Sequence, residues 1–312
     1  MSTQFSNIEE ACRAACEAVG VEFVPVSADD HWYVANLRDD RKKGNGRIKL
    51  FADRLGGIVK NWKTGEQELF FVNGHTTGKP LSAEEKRRIE AEKKRREAER
   101  QRNYDKAARR AAAIHQAADD AIVHPYLVKK QVQAFPGVKV GRWERTIRND
   151  DGTRRKIVID NSLLIPAYNE KGAIRNLQAI FPAESPELDR SKDFLPGCQL
   201  GGCFFTIGKR TDPVLICEGY ATGATLHEET GYRVYVAFAA NNLKAVALLV
   251  RKYRPDLKII ICCDNDKTEG NPGIRYGNEA ALAVNGFLTY PPIEGFDFND
   301  YAAMLKEFAI NE

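Results

Sequence analysis

The chain has 312 residues, 43% of them hydrophobic and 29% charged, enough for a core in each of two domains, and no run of eighteen apolar residues reads as a membrane span. Its first twenty residues carry acids where a secretory leader needs positive charge and an apolar stretch, so a cytoplasmic protein is expected. Seven irregularly spaced cysteines suit a reducing compartment; Cys12/Cys16 and Cys198/Cys203 lack zinc-knuckle spacing, so no zinc is expected and the thiols read as buried small hydrophobes.

The net charge of +4 is unevenly placed. Glu84 to Arg110 holds twelve Lys/Arg and seven Asp/Glu, which is +5, and leaves the remainder at −1. Such a segment suits a polyanionic partner or a solvated helix.

In chain order, Ser6 and Glu9 have the spacing of a capping box, Cys12, Ala15 and Val19 continue an apolar stripe, and Gly20 ends the helix. VEFVPV, HWYVANL, RIKLFA, GGIVKNW and ELFFV then read as short strands of an antiparallel sheet ending near Gly78, with Trp32 and Trp62 expected in its core rather than as base-stacking groups. Gly74 to Lys79 has P-loop-like residues at too short a spacing, with Pro80 where Ser or Thr is required, and reads as a loop. These features define an α+β module over 1–80. Residues 81–118 are strong helix formers, and Ser82 to Ala118 is expected to be a charged helical linker.

Residues 119–213 mix strands and loops, with IVIDNSLLIPAY and GAIRNLQAIF as neighbours, and basic residues recur at their edges. From Val214 the apolar runs VLIC, RVYVAFA, KIIICC and GFLTY alternate with amphipathic helix patterns, so 214–312 reads as a doubly wound parallel sheet covered on both faces.

Two of those strands end in acids: VLIC runs into Glu218, and KIIICC into Asp264-Asn265-Asp266. Ligands of open α/β sheets bind beyond the carboxyl ends of the strands. Strand alternation turns Asp264 and Asp266 to one side, and carboxylate oxygens are the donors Mg²⁺ prefers. A DxD alone is commonly a strand-to-helix turn with a cap; a preceding strand-end glutamate makes the pattern specific. The five histidines are scattered and form no ligand pair.

This arrangement resembles the Toprim family, whose signature glutamate and DxD are matched by Glu218, Asp264 and Asp266 over about residues 212–305. EGYATGATL resembles the primase branch. LLIPAYNEKGAIRNLQAIF and KDFLPGCQLGGCFFTIG resemble the basic polymerase subdomain that precedes Toprim in DnaG-type primases. HPYLVKKQV, GNGRIKLFADRLGGIVKNWKTGE and FDFNDYAAML resemble segments of plasmid and phage primases, including the TraC type, with Phe298 in place of a tryptophan. The zinc ligands that usually open a DnaG-type primase are missing.

The resemblance implies synthesis of short RNA primers on single-stranded DNA from ribonucleoside triphosphates, in plasmid, phage or mobile-element replication. Glu218, Asp264 and Asp266 would hold Mg²⁺, with Mn²⁺ as an alternative, and Glu218 could instead help deprotonate the attacking hydroxyl. Lys171, Arg175, Lys192, Lys209 and Arg210 are candidate nucleotide or nucleic-acid contacts. Asp297 and Asp300 are accessory candidates, the second equally a helix cap. Any helicase partner is expected to be a separate chain, and no membrane is involved. A Toprim nuclease and a non-catalytic replication adaptor are the alternatives.

Overall fold

The computed structural model describes residues 5–40, 44–72, 83–148, 153–268 and 270–310. The expected loop over Gly74 to Lys79 and the sheet's end near Gly78 lie outside them. Two units emerge, Met1–Glu99 and Arg100–Glu312.

In the first unit α1 (Ile8–Ala18) buries Ala11, Cys12, Ala15 and Cys16. Its N-cap is Asn7 rather than Ser6: Asn7 is extended and its side chain accepts from the Glu9 amide, one position later than a Ser6 box would place it. The helix covers one face of an antiparallel sheet in the order β1 (Tyr33–Ala35), β2 (Gly46–Leu50), β3 (Gly56–Asn61), β4 (Gln67–Phe71). VEFVPV is not a strand; only Val21 bridges to Leu37, and Pro25 has no amide to give a ladder.

Trp32 and Trp62 are not in the core. Trp62 is 61% exposed and Trp32 38%. Val59 and Asn61 of β3 point inward, so alternation puts Trp62 on the open face with Lys60. There the Arg47 guanidinium lies 4.7 Å from the Trp62 ring centre, and the Lys49 ammonium 5.5 Å from that of Trp32.

The charged segment forms α2 (Ala83–Gln116), and the boundary between the units falls within it. Near its end Ala108 and Ala111 are buried, where the sequence turns from charge to alanine.

The second unit continues with β5 (Asp119–Asp120), α3 (Pro125–Lys130), β6 (Lys139–Arg148), β7 (Arg154–Tyr168), β8 (Ile174–Ser185) and β9 (Arg190–Phe194). The five strands form an antiparallel sheet in chain order. β10 (Phe205–Ile207) leaves that sheet and pairs antiparallel with a strand of the next, so the following layer begins upstream of Val214.

That layer contains β11 (Val214–Cys217), α4 (Tyr220–Thr230), β12 (Arg233–Val236), α5 (Leu243–Tyr253), β13 (Ile259–Cys262), α6 (Pro272–Ala283), β14 (Phe287–Thr289) and α7 (Phe298–Ile310). The sheet order is β10-β12-β11-β13-β14, parallel except at β10. β11 shows why its strands read as unbroken apolar runs. Leu215 and Cys217 enter a core with α4, while Val214 and Ile216 enter another with α5 and α6. Cys203, Cys217, Cys262 and Cys263 are buried in these cores, Cys12 and Cys16 in that of the first unit, and Cys198 is half-buried. No helix of the described residues is long and apolar enough to cross a membrane.

Candidate active site

The register pairs Cys217 with Cys262, so β11 and β13 end side by side. Glu218 follows the first directly, and Asp264 lies two residues past the second. Glu218 Oε1 and Asp264 Oδ1 are buried and have no hydrogen-bond partner among the described residues. Burial, then repulsion from Asp264 and Asp266, pushes the Glu218 carboxyl up to about 8, against the pull of the Asp264 and Ala240 amides. Burial, then Asp297 and Asp266, pushes Asp264 up to about 7, while Lys192 acts the other way. Two buried, mutually repelling carboxylates hold a proton near neutrality unless a cation replaces it.

Asp266 is differently placed. Its Oδ2 accepts from the Gly273 amide at 2.8 Å, at the start of α6, where the helix dipole favours negative charge. A Cβ at Gly273 would run into the Asp264 carbonyl, so glycine there lets the helix close on the loop. Asn271 caps α6 through the Ile274 amide and also donates to Asn265 Oδ1 at 2.8 Å. Asn265 in turn donates to the Pro291 carbonyl. The DxD thus divides its work: Asp264 is left unpartnered, Asn265 anchors the loop, and Asp266 ties it to α6.

Among the described residues no group of three His, Cys, Asp or Glu is placed to hold an ion unaided. Two orphaned carboxylate oxygens with a third carboxylate nearby nonetheless fit Mg²⁺, which keeps waters and takes phosphate oxygens to complete its shell.

A cleft of about 560 Å³ opens onto Glu218, Asp264 and Asp297, with Lys129 and Lys130 of α3, Gln178 of β8, and Ser191 and Lys192 of β9 also lining it. Asp193 is the buried post that sets Lys192. It accepts from the Trp143 indole at 3.2 Å and pairs with Arg145 at 3.1 Å and Arg190 at 3.2 Å. Since Asp193 points inward, its neighbour Lys192 faces the cleft.

The other basic candidates lie elsewhere. Arg175 is ion-paired with Asp105 of α2 at 2.8 Å. Lys171 sits in the β7–β8 turn, its amide held by Asn169. Lys209 is exposed between β10 and β11, and Arg210 lines a different cleft. Of the accessory acids, Asp297 lines the site and is also the cap, accepting from the Asp300 amide at 2.8 Å. Asp300, expected as an accessory acid or equally a cap, lies inside the first turn of α7 and pairs with Lys130 at 2.7 Å.

In the sequence Lys129 and Lys130 are simply two of the basic residues at the edges of 119–213. The signal that could have promoted them is His124-Pro125 at the start of α3. His124 Nδ1 accepts from the Tyr126 amide, its Nε2 meets the Asn161 carbonyl at 2.9 Å, and Pro125 occupies the first turn. Asn299 of α7 donates to the Lys130 carbonyl at 2.7 Å and to Thr225 of α4. The HPYLVKK helix is therefore fastened to the acid-bearing layer, with its lysines at the rim.

Residues 213–306 match the Toprim domain, so the acid-bearing layer is a Toprim domain. Beyond that segment, the chain is 31% identical over 251 residues to a DNA primase TraC of Escherichia coli, and 28% identical over 246 residues to a second protein of that description from the same species. These similarities cover 76% and 75% of this chain but only 16% and 21% of the relatives, so the chain spans about a fifth of their length or less. A DNA primase domain from Pseudomonas aeruginosa aligns with a TM-score of 0.46 and 14% identity, covering 64% of this chain and 75% of that one.

Proposed function

We propose that this chain is the catalytic core of a DNA primase, making short RNA primers on single-stranded DNA for a plasmid or related mobile element. The observation that carries this reading is the pair of orphaned buried oxygens, Glu218 Oε1 and Asp264 Oδ1, facing lysines across one cleft. The similarity to two DNA primases, spanning the Toprim domain and well upstream of it, supports the same reading.

Glu218 and Asp264 would hold Mg²⁺, and Asp266 would add charge from its tether on α6. When bound, the ion supplies Lewis-acid stabilisation of the reacting phosphate. Lys192 and Lys129 receive the ribonucleoside triphosphate and orient its phosphates, while Lys130 is held at the rim by Asp300. The primer 3′-hydroxyl oxygen bonds to the α-phosphorus as the bond to pyrophosphate breaks, and the hydroxyl proton passes to solvent.

The test is a primer-synthesis assay with labelled ribonucleotides, single-stranded DNA and Mg²⁺. Wild type should make short RNA, and Asp264→Asn should lose at least about a hundredfold, the scale of removing one transition-state charge contact, with an unchanged circular-dichroism spectrum. A strand shortened by the wild type, with no RNA made, would replace primase with nuclease.

A further inference from the structure

The opposite, amino-terminal ends of the same parallel strands carry a second cleft, of about 680 Å³. On this face α5 packs over β11 and β13, while the outward side chains of β10 and β12 lie beside it. Register sets Thr206 beside Tyr235, and Phe204 meets Tyr235 edge-on with ring centres 5.4 Å apart. Tyr253, at the end of α5, adds a further ring that is largely exposed.

Three arginines converge on this aromatic floor: Arg233 from β12, Arg210 from the segment before β11, and Arg254 just after α5. None is ion-paired among the described residues, whereas Arg145, Arg175 and Arg190 all meet carboxylates. The Arg233 guanidinium lies 5.2 Å from the Tyr235 ring centre, and its Nε is buried without a hydrogen-bond acceptor. Glu170 is the single carboxylate among the described residues of the lining. Leaving a buried guanidinium nitrogen unsatisfied costs free energy, and the acceptor that matches several converging guanidinium forks is a phosphate. Rings beside a phosphate site offer a stacking surface to a base.

We propose that this cleft binds a nucleotide unit, with its phosphate held by Arg210, Arg233 and Arg254 and its base against Tyr235 and Tyr253. The unit is either a free nucleotide or one residue of a single strand; the chemistry is shared. The site lies at the far end of the strands from Glu218 and Asp264, and its existence does not depend on what those acids catalyse.

The experiment uses the full chain and an Arg210→Ala/Arg254→Ala variant, both positions being exposed and outside the strands. Two probes are titrated without divalent ion: ATP by calorimetry, and a fluorescein-labelled oligothymidylate by anisotropy. The variant should lose about tenfold in affinity for at least one probe, equivalent to about 1.4 kcal/mol. Loss for ATP marks a free-nucleotide site, and loss for the oligonucleotide alone marks a strand site. The same loss should persist in an Asp264→Asn background. Equal affinity of wild type and variant for both probes, no binding of either, or a loss that vanishes in that background overturns the proposal.

Discussion

The chain concentrates charge in two places that behave in opposite ways. The first half of α2 is the most conspicuously charged segment of the sequence, yet its side chains stand in water: Lys94 and Arg95 are about three-quarters exposed. Three of its bases pair along the helix, Lys94 with Glu90 at 3.9 Å and Arg95 and Arg96 with Glu92 at 3.3 and 3.1 Å. Pairs of this kind are worth about 0.3–0.5 kcal/mol each. The acid edge of the Toprim sheet gathers Glu218, Asp264 and Asp266 with Asp297 beside them; Glu218 lies 46 residues before Asp264 and Asp297 a further 33 on, and no local run of charge announces them. Burial makes the difference. Water screens α2 and is withheld from Glu218 and Asp264, so a few charges there shift one another strongly while many on α2 do not.

The largest effect expected from this contrast is at Glu218. Glu218→Gln keeps the shape and removes the charge, so primer synthesis should fall at least about a hundredfold. Primer yield at saturating template measures it, and activity within a few-fold of wild type would place the chemistry elsewhere.

The next effect is on stability. Glu218 and Asp264 sit above their ordinary carboxylate range, at about 8 and about 7. The folded state therefore binds more protons than the unfolded chain, and this contribution is present at low pH and lost as pH rises. Metal-free protein should lose stability between about pH 4.5 and pH 8, by on the order of a few kcal/mol. Mg²⁺ at pH 8 should restore it, and Glu218→Gln should flatten the slope. Urea titrations across that range measure both, and a pH-independent midpoint for the wild type would mean the acids are not held against one another.

Lys192 is intermediate, being exposed but electrostatically linked to a buried acid. Lys192→Ala should raise KM for the ribonucleoside triphosphate about tenfold, the scale of one charge-assisted contact, with a smaller change in kcat. An unchanged KM would leave the lysine as rim charge.

The same contrast explains what could be read in advance. Strand ends are legible because apolar runs stop abruptly, and Glu218, Asp264 and the βαβα rhythm follow from that. Partners brought from a distance are not legible. Arg175 reads as a nucleic-acid contact until Asp105, seventy residues upstream, takes it, and Lys192 has no special standing until Asp193 is seen to anchor β9. The open-face position of Trp62 is not legible either, since hydrophobicity alone does not reveal which face of a strand a residue occupies. The arginine-lined cleft is hidden for a related reason: Arg210, Arg233 and Arg254 come from three separate segments that only the fold brings to one cleft.

The smallest effect belongs to α2. Arg96 should be left out of any test, because it bonds Asp29 at 2.7 Å, and Asp29 also holds the Tyr33 hydroxyl. Replacing Lys93, Lys94 and Arg95 with Gln removes three exposed charges and preserves helix propensity. If the helix contributes to template binding, single-strand affinity should fall a few-fold at low salt, and the slope of log affinity against log salt should flatten by roughly two. Catalysis with saturating template should not change, and the melting temperature should move by no more than about a degree, since surface pairs contribute little. Loss of turnover at saturating template would break the contrast, because it would give exposed helical charge a role that screening should deny it. Affinity unchanged across the salt titration would leave α2 as a spacer whose charges serve only to keep it solvated.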